Sequence, residues 1–258
     1  MSTAADARTV ERGRVITRDR YDAVLFDLDG VLTNTAAIHA ACWKEMFDEF
    51  LRRRAADRGG AFRPFDAVDD YRVYVDGKPR LDGVRDFLAS RDIHLPEGGL
   101  DDAPEADTVT ALGNRKNDLV NKVFEGAGVE PYEGSVRLLH QVRRSALKLA
   151  VVTSSENCAA VLHAAALDGF FEVRVDGTVI RARHLAGKPA PDTFLMAAKL
   201  LGVDPLRAVV IEDAISGVQA GAAGNFGLVI GVARKGNAEE LRRHGAHLVV
   251  TDLGELVD

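Results

Sequence analysis

The chain alternates short apolar runs with amphipathic stretches, and this alternation constrains its fold more than any other feature. Stretches with helical spacing lie between the runs, as at 135–143 and 191–201. Strands that are apolar on both faces are typical of a parallel sheet covered by helices on each side. The sequence therefore predicts an α/β fold with a doubly wound parallel sheet. The predicted strands are the apolar runs at 23–26, 147–152, 208–211, 228–232 and 248–250.

Residues 34–130 interrupt that alternation. They contain helical patterns at 36–54 and 115–125, loop-forming segments near Gly59-Gly60 and at 97–104, and no apolar run of the strand type. We interpret this segment as a mostly helical second domain inserted after the first strand. The predicted division is a mobile leader at 1–20, a catalytic core at 21–33 and 131–258, and the insert at 34–130.

Composition argues against several classes of protein. The 33 basic and 39 acidic side chains give a formal net charge of −6, which disfavours a nucleic-acid partner. Two cysteines, Cys42 and Cys158, cannot form a disulfide framework. No apolar run reaches the roughly 18 residues of a membrane span, and the first 20 residues lack the apolar segment of a secretory signal. We expect a cytoplasmic protein without a membrane or nucleic-acid partner.

Three of the predicted strands end in acidic or hydroxyl side chains. In an open α/β sheet, ligands bind outside the carboxyl ends of the strands, so these side chains are expected to converge on one site. Paired carboxylates with a further Asp from another strand offer the hard oxygen ligands that Mg²⁺ prefers. Each residue alone also fits a turn or a helix cap, but their ordered recurrence favours a site. The residues are Asp27, Asp29, Thr153, Ser155, Glu212 and Asp213.

Lys188 precedes a helix that begins with proline, in the segment 187–192. A lysine there can reach a phosphate as a point charge. Taken by itself, it fits a solvated loop residue better than a phosphate-binding one. Together with the strand-end carboxylates and hydroxyl groups, it completes a set suited to phosphoryl transfer.

Four segments in this order resemble the motifs of the haloacid dehalogenase superfamily. The resemblance covers the chain after residue 20 and implies a Rossmann-like core with a helical cap inserted after the first motif. The segments are Asp27-Leu28-Asp29-Gly30-Val31-Leu32-Thr33, Thr153-Ser154-Ser155, Gly187-Lys188-Pro189 and Glu212-Asp213.

The resemblance also implies a role for each motif residue. Asp27 is expected to be the nucleophile that becomes an aspartyl phosphate, and Asp29 to be the general acid and base. Thr153 and Lys188 are expected to hold the phosphoryl oxygens. The implied Mg²⁺ ligands are Asp27, the backbone carbonyl of Asp29, Glu212 and Asp213.

The insert resembles the cap of the β-phosphoglucomutase-like subfamily. The resemblance implies interconversion of β-glucose 1-phosphate and glucose 6-phosphate, with glucose 1,6-bisphosphate as the activating intermediate. Thr35, His39 and Trp43 fall on one helical face, and Trp43 is expected to be cap core. The implied substrate-binding residues are Thr35, His39, Gly77, Lys78, Arg80, Lys116, Ser154, Ser155 and Asn157.

The subfamily pattern is not followed everywhere, and two other functions stay open. Asn34 stands where the family usually has Asp, and Glu156 stands where the mutase has Lys, which would place a carboxylate beside the second phosphate. A sugar-phosphate phosphatase could use the same core, and a catalytically inactive sugar-phosphate sensor is a remoter alternative. For all three we expect a small sugar-phosphate ligand and a monomer.

Overall fold

The computed structural model describes residues 15–99 and 101–258, which form two compact units. Unit 1 comprises the chain up to Asn34 together with residues 129–258, and unit 2 comprises residues 35–128. The predicted boundaries of the insert, at 34 and 130, fall within two residues of this division. Within the described ranges, we find no helix that is long and apolar enough to cross a membrane.

The described residues contain six strands and nine α-helices. The strands are β1 (Ala23–Phe26), β2 (Lys148–Val152), β3 (Val173–Val175), β4 (Ala208–Glu212), β5 (Leu228–Val232) and β6 (Leu248–Val250). The helices are α1 (Ala36–Arg58), α2 (Arg80–Ser90), α3 (Val109–Ala127), α4 (Glu133–Arg144), α5 (Cys158–Ala164), α6 (Gly177–Ala182), α7 (Asp192–Leu201), α8 (Ile215–Ala223) and α9 (Ala238–Arg243).

Unit 1 is built on one parallel sheet in the order β3-β2-β1-β4-β5-β6. The first strand in the sequence lies in the interior of the sheet, where Phe26 is in register with Val151 of β2 and Ile211 of β4. Because all strands run the same way, the residues that follow β1, β2 and β4 lie at one edge of the sheet. The predicted α/β class with a doubly wound sheet is confirmed.

Both faces of the central strands are buried, as the apolar runs predict. Leu25, Val152 and Val210 are fully enclosed in one apolar cluster with Phe194 of α7. Burial of such side chains contributes about 1.5–3 kcal/mol each, which holds the strand ends in fixed positions.

One strand was not predicted. The burial of β3 alternates from half-buried Val173 through exposed Arg174 to buried Val175, so it carries no continuous apolar run. Val175 is nevertheless paired with Val152, and β3 forms one border of the sheet. An edge strand of three residues with an exposed centre is too short and too polar to be recognised from a run of apolar residues.

Unit 2 is helical within its described residues. Helix α1 contains the predicted helix 36–54 and continues to Arg58, and α3 contains the predicted helix 115–125. Helix α2 was not predicted, and a short π-helical turn precedes it at Tyr71–Val75. The loop prediction near Gly59 agrees with the irregular backbone there.

Aromatic side chains form the centre of unit 2. The ring of Phe87 lies 4.1 Å from Phe47 and 5.0 Å from Phe65, measured between centroids, and Trp43 stacks on Phe47 at 5.3 Å. Trp43 is 4% exposed, so it belongs to the apolar core, as expected. This cluster fixes α1 and α2 against each other.

The predicted leader at 1–20 extends too far towards the C-terminus. Its first 14 residues lie outside the described residues, whereas Ile16 is buried in unit 1. The carbonyl of Thr17 accepts a hydrogen bond from the Tyr21 N–H at 2.9 Å, and Arg18 pairs with Asp22. Residues 15–20 are therefore part of unit 1, held by the buried Ile16 side chain and by these polar contacts.

Candidate active site

The loop after β1 carries two of the predicted site residues. The Asp27 N–H donates to the Ile211 carbonyl at 3.0 Å, which continues the sheet pairing as far as this carboxylate. Gly30 then turns the chain with φ of +86°, and a Cβ there would lie 2.2 Å from an Asp213 carboxylate oxygen. Glycine at position 30 thus permits both the turn and the close approach of Asp213.

Lys188 lies among the carboxylates, as the motif order predicts. The residue is 2% exposed, and its ammonium donates to Asp27 Oδ1 at 2.6 Å and to Glu212 Oε1 at 2.5 Å. A third hydrogen bond reaches the Val152 carbonyl at 3.1 Å. Three acceptors from three strand ends therefore fix the position of this charge.

Glu212 and Asp213 follow β4 and are both buried. Glu212 Oε2 accepts from the Ala214 N–H at 3.1 Å. A Cβ at Gly217 would lie 1.8 Å from Glu212 Oε1, so any side chain at position 217 would displace the carboxylate. The first turn of α8 is thus shaped around Glu212.

The site concentrates negative charge in a buried space. Burial raises the pKa of Asp27 well above its ordinary value, and repulsion from Glu212 and Asp213 adds to this effect against the opposing attraction of Lys188. Burial alone would lower the pKa of Lys188, but Asp27 and Glu212 outweigh it and raise that pKa. The lysine therefore stays protonated, and the carboxylates together favour further positive charge nearby.

A divalent cation fits this donor set. One oxygen from each of three buried carboxylates, Asp27, Glu212 and Asp213, lies within 4.8 Å of the others. Carboxylate oxygens at such spacing suit Mg²⁺, which would relieve their mutual repulsion. The contribution expected from the Asp29 carbonyl stays a prediction.

The loop after β2 places a hydroxyl group next to Asp29. Thr153 is 2% exposed, and its Oγ1 lies 3.5 Å from Asp29 Oδ2. The same oxygen accepts from the Ser155 N–H at 3.1 Å, and Ser155 Oγ accepts from the Asn157 N–H at 3.2 Å. These bonds hold residues 153–157, including Ser154, in one tight turn at the carboxyl edge of the sheet.

The two departures from the subfamily pattern have local partners. Glu156 forms an ion pair with Arg181 of α6, which offsets the negative charge expected to repel a second phosphate. Asn34 Oδ1 accepts from the Tyr132 hydroxyl at 3.0 Å, and the Asn34 N–H donates to the Glu130 carbonyl at 3.0 Å. Asn34 thus joins the two chain segments through which unit 1 connects to the insert.

The loop after β5 contributes residues that sequence reasoning missed. Lys235 Nζ lies 3.1 Å from Asp213 Oδ2, and Arg234 Nε donates to the Gly30 carbonyl at 3.1 Å. The Arg234 guanidinium also lies 3.6 Å from the centroid of the Tyr132 ring. The available signal was their position directly after a buried strand, the same position that identified the other site residues.

Unit 2 brings three of its predicted residues together. The Lys116 ammonium lies 2.7 Å from His39 Nδ1 and 5.0 Å from the centroid of the Trp43 ring. Because an ammonium can only donate, His39 Nδ1 accepts and the imidazole carries its own proton on Nε2. Thr35 precedes α1, is 1% exposed, and its carbonyl accepts from the His39 N–H at 3.0 Å.

The segment before α2 holds the remaining predicted residues. Gly77 turns the chain with φ of +73°, and Lys78 Nζ binds Asp86 at 2.6 Å and the Val73 carbonyl at 3.2 Å. Arg80 begins α2, and its Nε lies 3.4 Å from where a Cβ of Gly113 on α3 would be. Lys78 therefore has a structural partner within unit 2, and Arg80 lies along α3.

Comparison with known proteins yields consistent matches. A family model described as haloacid dehalogenase-like hydrolase matches residues 21–225. A protein of Mycobacterium tuberculosis named Beta-phosphoglucomutase is 53% identical over 250 residues, which are 95% of each chain. A Bacillus subtilis protein of the same name is 29% identical over 235 residues, 91% of each chain.

The fold is also similar to that of a solved structure. A structure from Bacteroides vulgatus, described as a putative beta-phosphoglucomutase, superposes with a TM-score of 0.71 at 25% identity, covering 97% of this chain and 90% of that one. The family match spans most of the chain and includes all four motifs. The chain therefore belongs to the haloacid dehalogenase-like hydrolase family.

Proposed function

We propose that this protein is a β-phosphoglucomutase, which interconverts β-glucose 1-phosphate and glucose 6-phosphate. The observation that carries the proposal is the 53% identity to a protein of that name over 95% of both chains, so that the insert is matched along with the core. The reaction would proceed through a phosphorylated aspartate and glucose 1,6-bisphosphate.

Asp27 is the proposed nucleophile. A carboxylate oxygen of Asp27 forms a bond to phosphorus while the bond from phosphorus to the sugar oxygen breaks. Lys188 supports this role, since its ammonium is bound to Asp27 Oδ1 at 2.6 Å and orients the carboxylate. Lys188 and Thr153 are proposed to bind the phosphoryl oxygens, on which charge spreads during transfer.

Asp29 is the proposed general acid and base. It would give a proton to the departing sugar oxygen and take one from the hydroxyl group that attacks the aspartyl phosphate. The Thr153 hydroxyl, 3.5 Å from Asp29 Oδ2, supports an oriented carboxylate at this position. Asp29 gives up a proton in one half of the cycle and takes one in the other, so it ends in the protonation state in which it began.

Asp27, Asp213 and Glu212 are proposed to hold Mg²⁺, together with the Asp29 carbonyl. When bound, the ion would offset the negative charge that these carboxylates present to an incoming phosphate. The mutual distances of the three carboxylate oxygens, all within 4.8 Å, support the assignment.

The phosphate that is not reacting needs its own binding groups. We propose phosphate-binding roles for Arg80, Lys116 and His39 in unit 2 and for Ser155 and Asn157 in unit 1. The contacts of Lys116 with an imidazole and an indole ring support its part, because neither contact cancels the positive charge. A phosphatase that acts on small monoesters needs no such groups.

We further propose a cytoplasmic monomer, with both cysteines buried as free thiols.

Phosphorus NMR can test the proposal directly. The protein is incubated with β-glucose 1-phosphate, Mg²⁺ and a trace of glucose 1,6-bisphosphate, and we expect glucose 6-phosphate to appear without net inorganic phosphate. An excess of chelator should abolish the conversion. Accumulation of inorganic phosphate would favour the phosphatase, and an unchanged spectrum would favour the sensor.

A further inference from the structure

Unit 2 contains a concave pocket, far along α1 from His39. The pocket has a volume of about 310 Å³ and lies between the last turns of α1, the loop at 59–63 and the residues after α2. Arg54, one of its lining residues, is 15 positions after His39 on the helix. At a rise of about 1.5 Å per residue, the two lie roughly 22 Å apart along the helix axis.

Positive charge dominates this pocket. Four arginines line it, Arg54, Arg58, Arg63 and Arg91, and Asp92 is its one acidic lining residue. The chain as a whole carries a formal net charge of −6. A surface with the average charge of this protein would be acidic. The excess of guanidinium groups is therefore particular to this pocket.

Three of these arginines differ from the other arginines nearby. Arg53, Arg85 and Arg91 each form an ion pair with an Asp or a Glu. For Arg54, Arg58 and Arg63, the described part of the chain offers no ion pair. Among the residues that line the pocket, the one carboxylate is exposed Asp92, which lies 3.4 Å from His94.

The walls of the pocket are held in place. The Arg91 guanidinium donates to the carbonyls of Arg63 and Pro64 at 3.3 and 3.2 Å and binds Asp70 at 2.7 Å. These bonds tie the loop to the end of α2. Leu51 and Ile93, both 8% exposed, add apolar surface to the lining.

We propose that this pocket binds a small molecule that carries at least two linked or neighbouring phosphate groups. Guanidinium groups bind phosphate oxygens through paired hydrogen bonds, and several of them together require a multiply charged anion. The volume lies at the lower end of the range for small-molecule sites. The inference goes beyond the proposed function, because it concerns residues that are not assigned to the reaction.

Inorganic pyrophosphate is the first probe, titrated calorimetrically into the full chain in the presence of a chelator. We expect R54Q/R58Q to bind it at least about tenfold more weakly than the wild type, since each charged hydrogen bond removed costs about that much. R144Q/R183Q is the matched control, because it removes the same charge from exposed positions outside the pocket lining. R63Q, on the loop, should weaken binding independently of any effect on α1.

Hydrogen exchange locates the bound probe. Pyrophosphate should protect peptides that cover 52–64 and 88–94 in the wild type and in the control, and not in R54Q/R58Q. Equal affinities in all variants, or protection confined to the peptides that contain Asp27 and Lys188, would overturn the proposal.

Two further ligands distinguish the source of the phosphates. ADP should bind more tightly than pyrophosphate if the ligand is a nucleotide, whereas fructose 1,6-bisphosphate should do so if it is a sugar phosphate. Mutase turnover is measured in the same variants and should stay at the wild-type rate, so failure of the pocket proposal leaves the proposed function intact.

Discussion

Each unit of the molecule buries a lysine, and the two lysines have different partners. Lys188 in unit 1 is 2% exposed and binds two carboxylates. Lys116 in unit 2 is 7% exposed and contacts the neutral ring nitrogen of His39 and the face of Trp43. Both ammonium groups are oriented by their neighbours, which include two carboxylates for Lys188 and an imidazole and an indole ring for Lys116.

The difference separates chemistry from recognition. Carboxylates around Lys188 have the chemistry to accept a phosphoryl group or a cation, which is the basis of the catalytic role proposed for unit 1. Aromatic and imidazole contacts around Lys116 orient a charge without neutralising it, which suits the binding of an anion. Variants of unit 1 should therefore affect every reaction of the protein, and variants of unit 2 should affect the choice of substrate.

The largest effect is expected for Asp27→Asn. The substitution removes the proposed nucleophile while the amide keeps nearly the same shape, so turnover should fall by about 10⁴-fold or more. Both mutase turnover and hydrolysis of a small phosphate monoester should be lost, as followed by phosphorus NMR. Asp22→Asn, which changes a surface carboxylate paired with Arg207 just before β1, is the control and should be active. Retained turnover in Asp27→Asn would remove the nucleophile assignment.

The second effect concerns the stability of each unit. Phe87→Ala removes a fully buried ring that contacts Phe47 and Phe65, and should destabilise unit 2 by about 3–5 kcal/mol. Burial raises the pKa of the thiols of both Cys42 and Cys158, so alkylation requires local opening. The rate of alkylation of Cys42 in unit 2 should rise by about 100-fold or more, with Cys158 unchanged.

Phe194→Ala is the matching variant in unit 1, where the ring is fully buried beside β2 and β4. It should accelerate alkylation of Cys158 and leave Cys42 slow. Equal acceleration of both thiols by either variant would show that the two units open as one.

The third effect is a change in specificity. Arg80→Ala should lower mutase turnover by about ten- to a hundredfold, because a charged hydrogen bond to the distal phosphate is lost. Hydrolysis of a small monoester should change little. Arg85→Ala, on the same helix and paired at the surface with Asp82, is the control and should leave both rates intact. A parallel loss of both activities in Arg80→Ala would mean that Arg80 supports the fold of unit 2.

The smallest effect is a pH dependence of stability in unit 1. Burial alone would raise the pKa of Asp252, but hydrogen bonds from Arg234 and the Gly254 N–H outweigh it and hold the pKa below its usual value. Because the pKa of Asp252 is lower in the folded state, the ionised carboxylate stabilises the fold at pH values above its unfolded-state pKa, which is near 4. That stabilisation is lost as the pH falls through the folded-state pKa.

Asp252→Asn should therefore cost about 0.2–1 kcal/mol of unfolding free energy at pH 7, since the pair is partly exposed. The difference from the wild type should shrink below about pH 4, as measured by urea unfolding. Asparagine can still accept a hydrogen bond from the Gly254 N–H, so the variant tests the loss of the carboxylate charge alone. A difference that is independent of pH would rule out the ion pair as its cause.

Sequence reasoning succeeded where position along a strand determines position in space. Because β1, β2 and β4 are parallel and in register, the residues that follow them had to meet. Asp27 and Glu212 accordingly lie close enough for the Lys188 ammonium to donate a hydrogen bond to each of them. The strands themselves were visible as apolar runs. The edge strand β3 was not, because Arg174 at its centre is exposed.

Other features depend on packing that no local pattern specifies. Lys235 is an unremarkable loop residue until the fold brings its ammonium to 3.1 Å from Asp213. The ion pair of Glu156 with Arg181 likewise joins the loop after β2 to helix α6, although the two residues are 25 positions apart in the sequence. In unit 2, the direction of Lys116 towards His39 follows from the crossing of α1 and α3, which helical periodicity alone does not determine.

The interior position of β1 also sets an order of events during synthesis. Its partners begin at Lys148 and Ala208, so the first strand of the sheet must wait for more than half of the chain before it can pair. Unit 2 is a contiguous segment, 35–128, and has its entire sequence available long before β4 is made. On the ribosome, unit 2 can therefore complete its aromatic core while β1 is still unpaired, and the closure of the sheet becomes the late step limited by distant contacts.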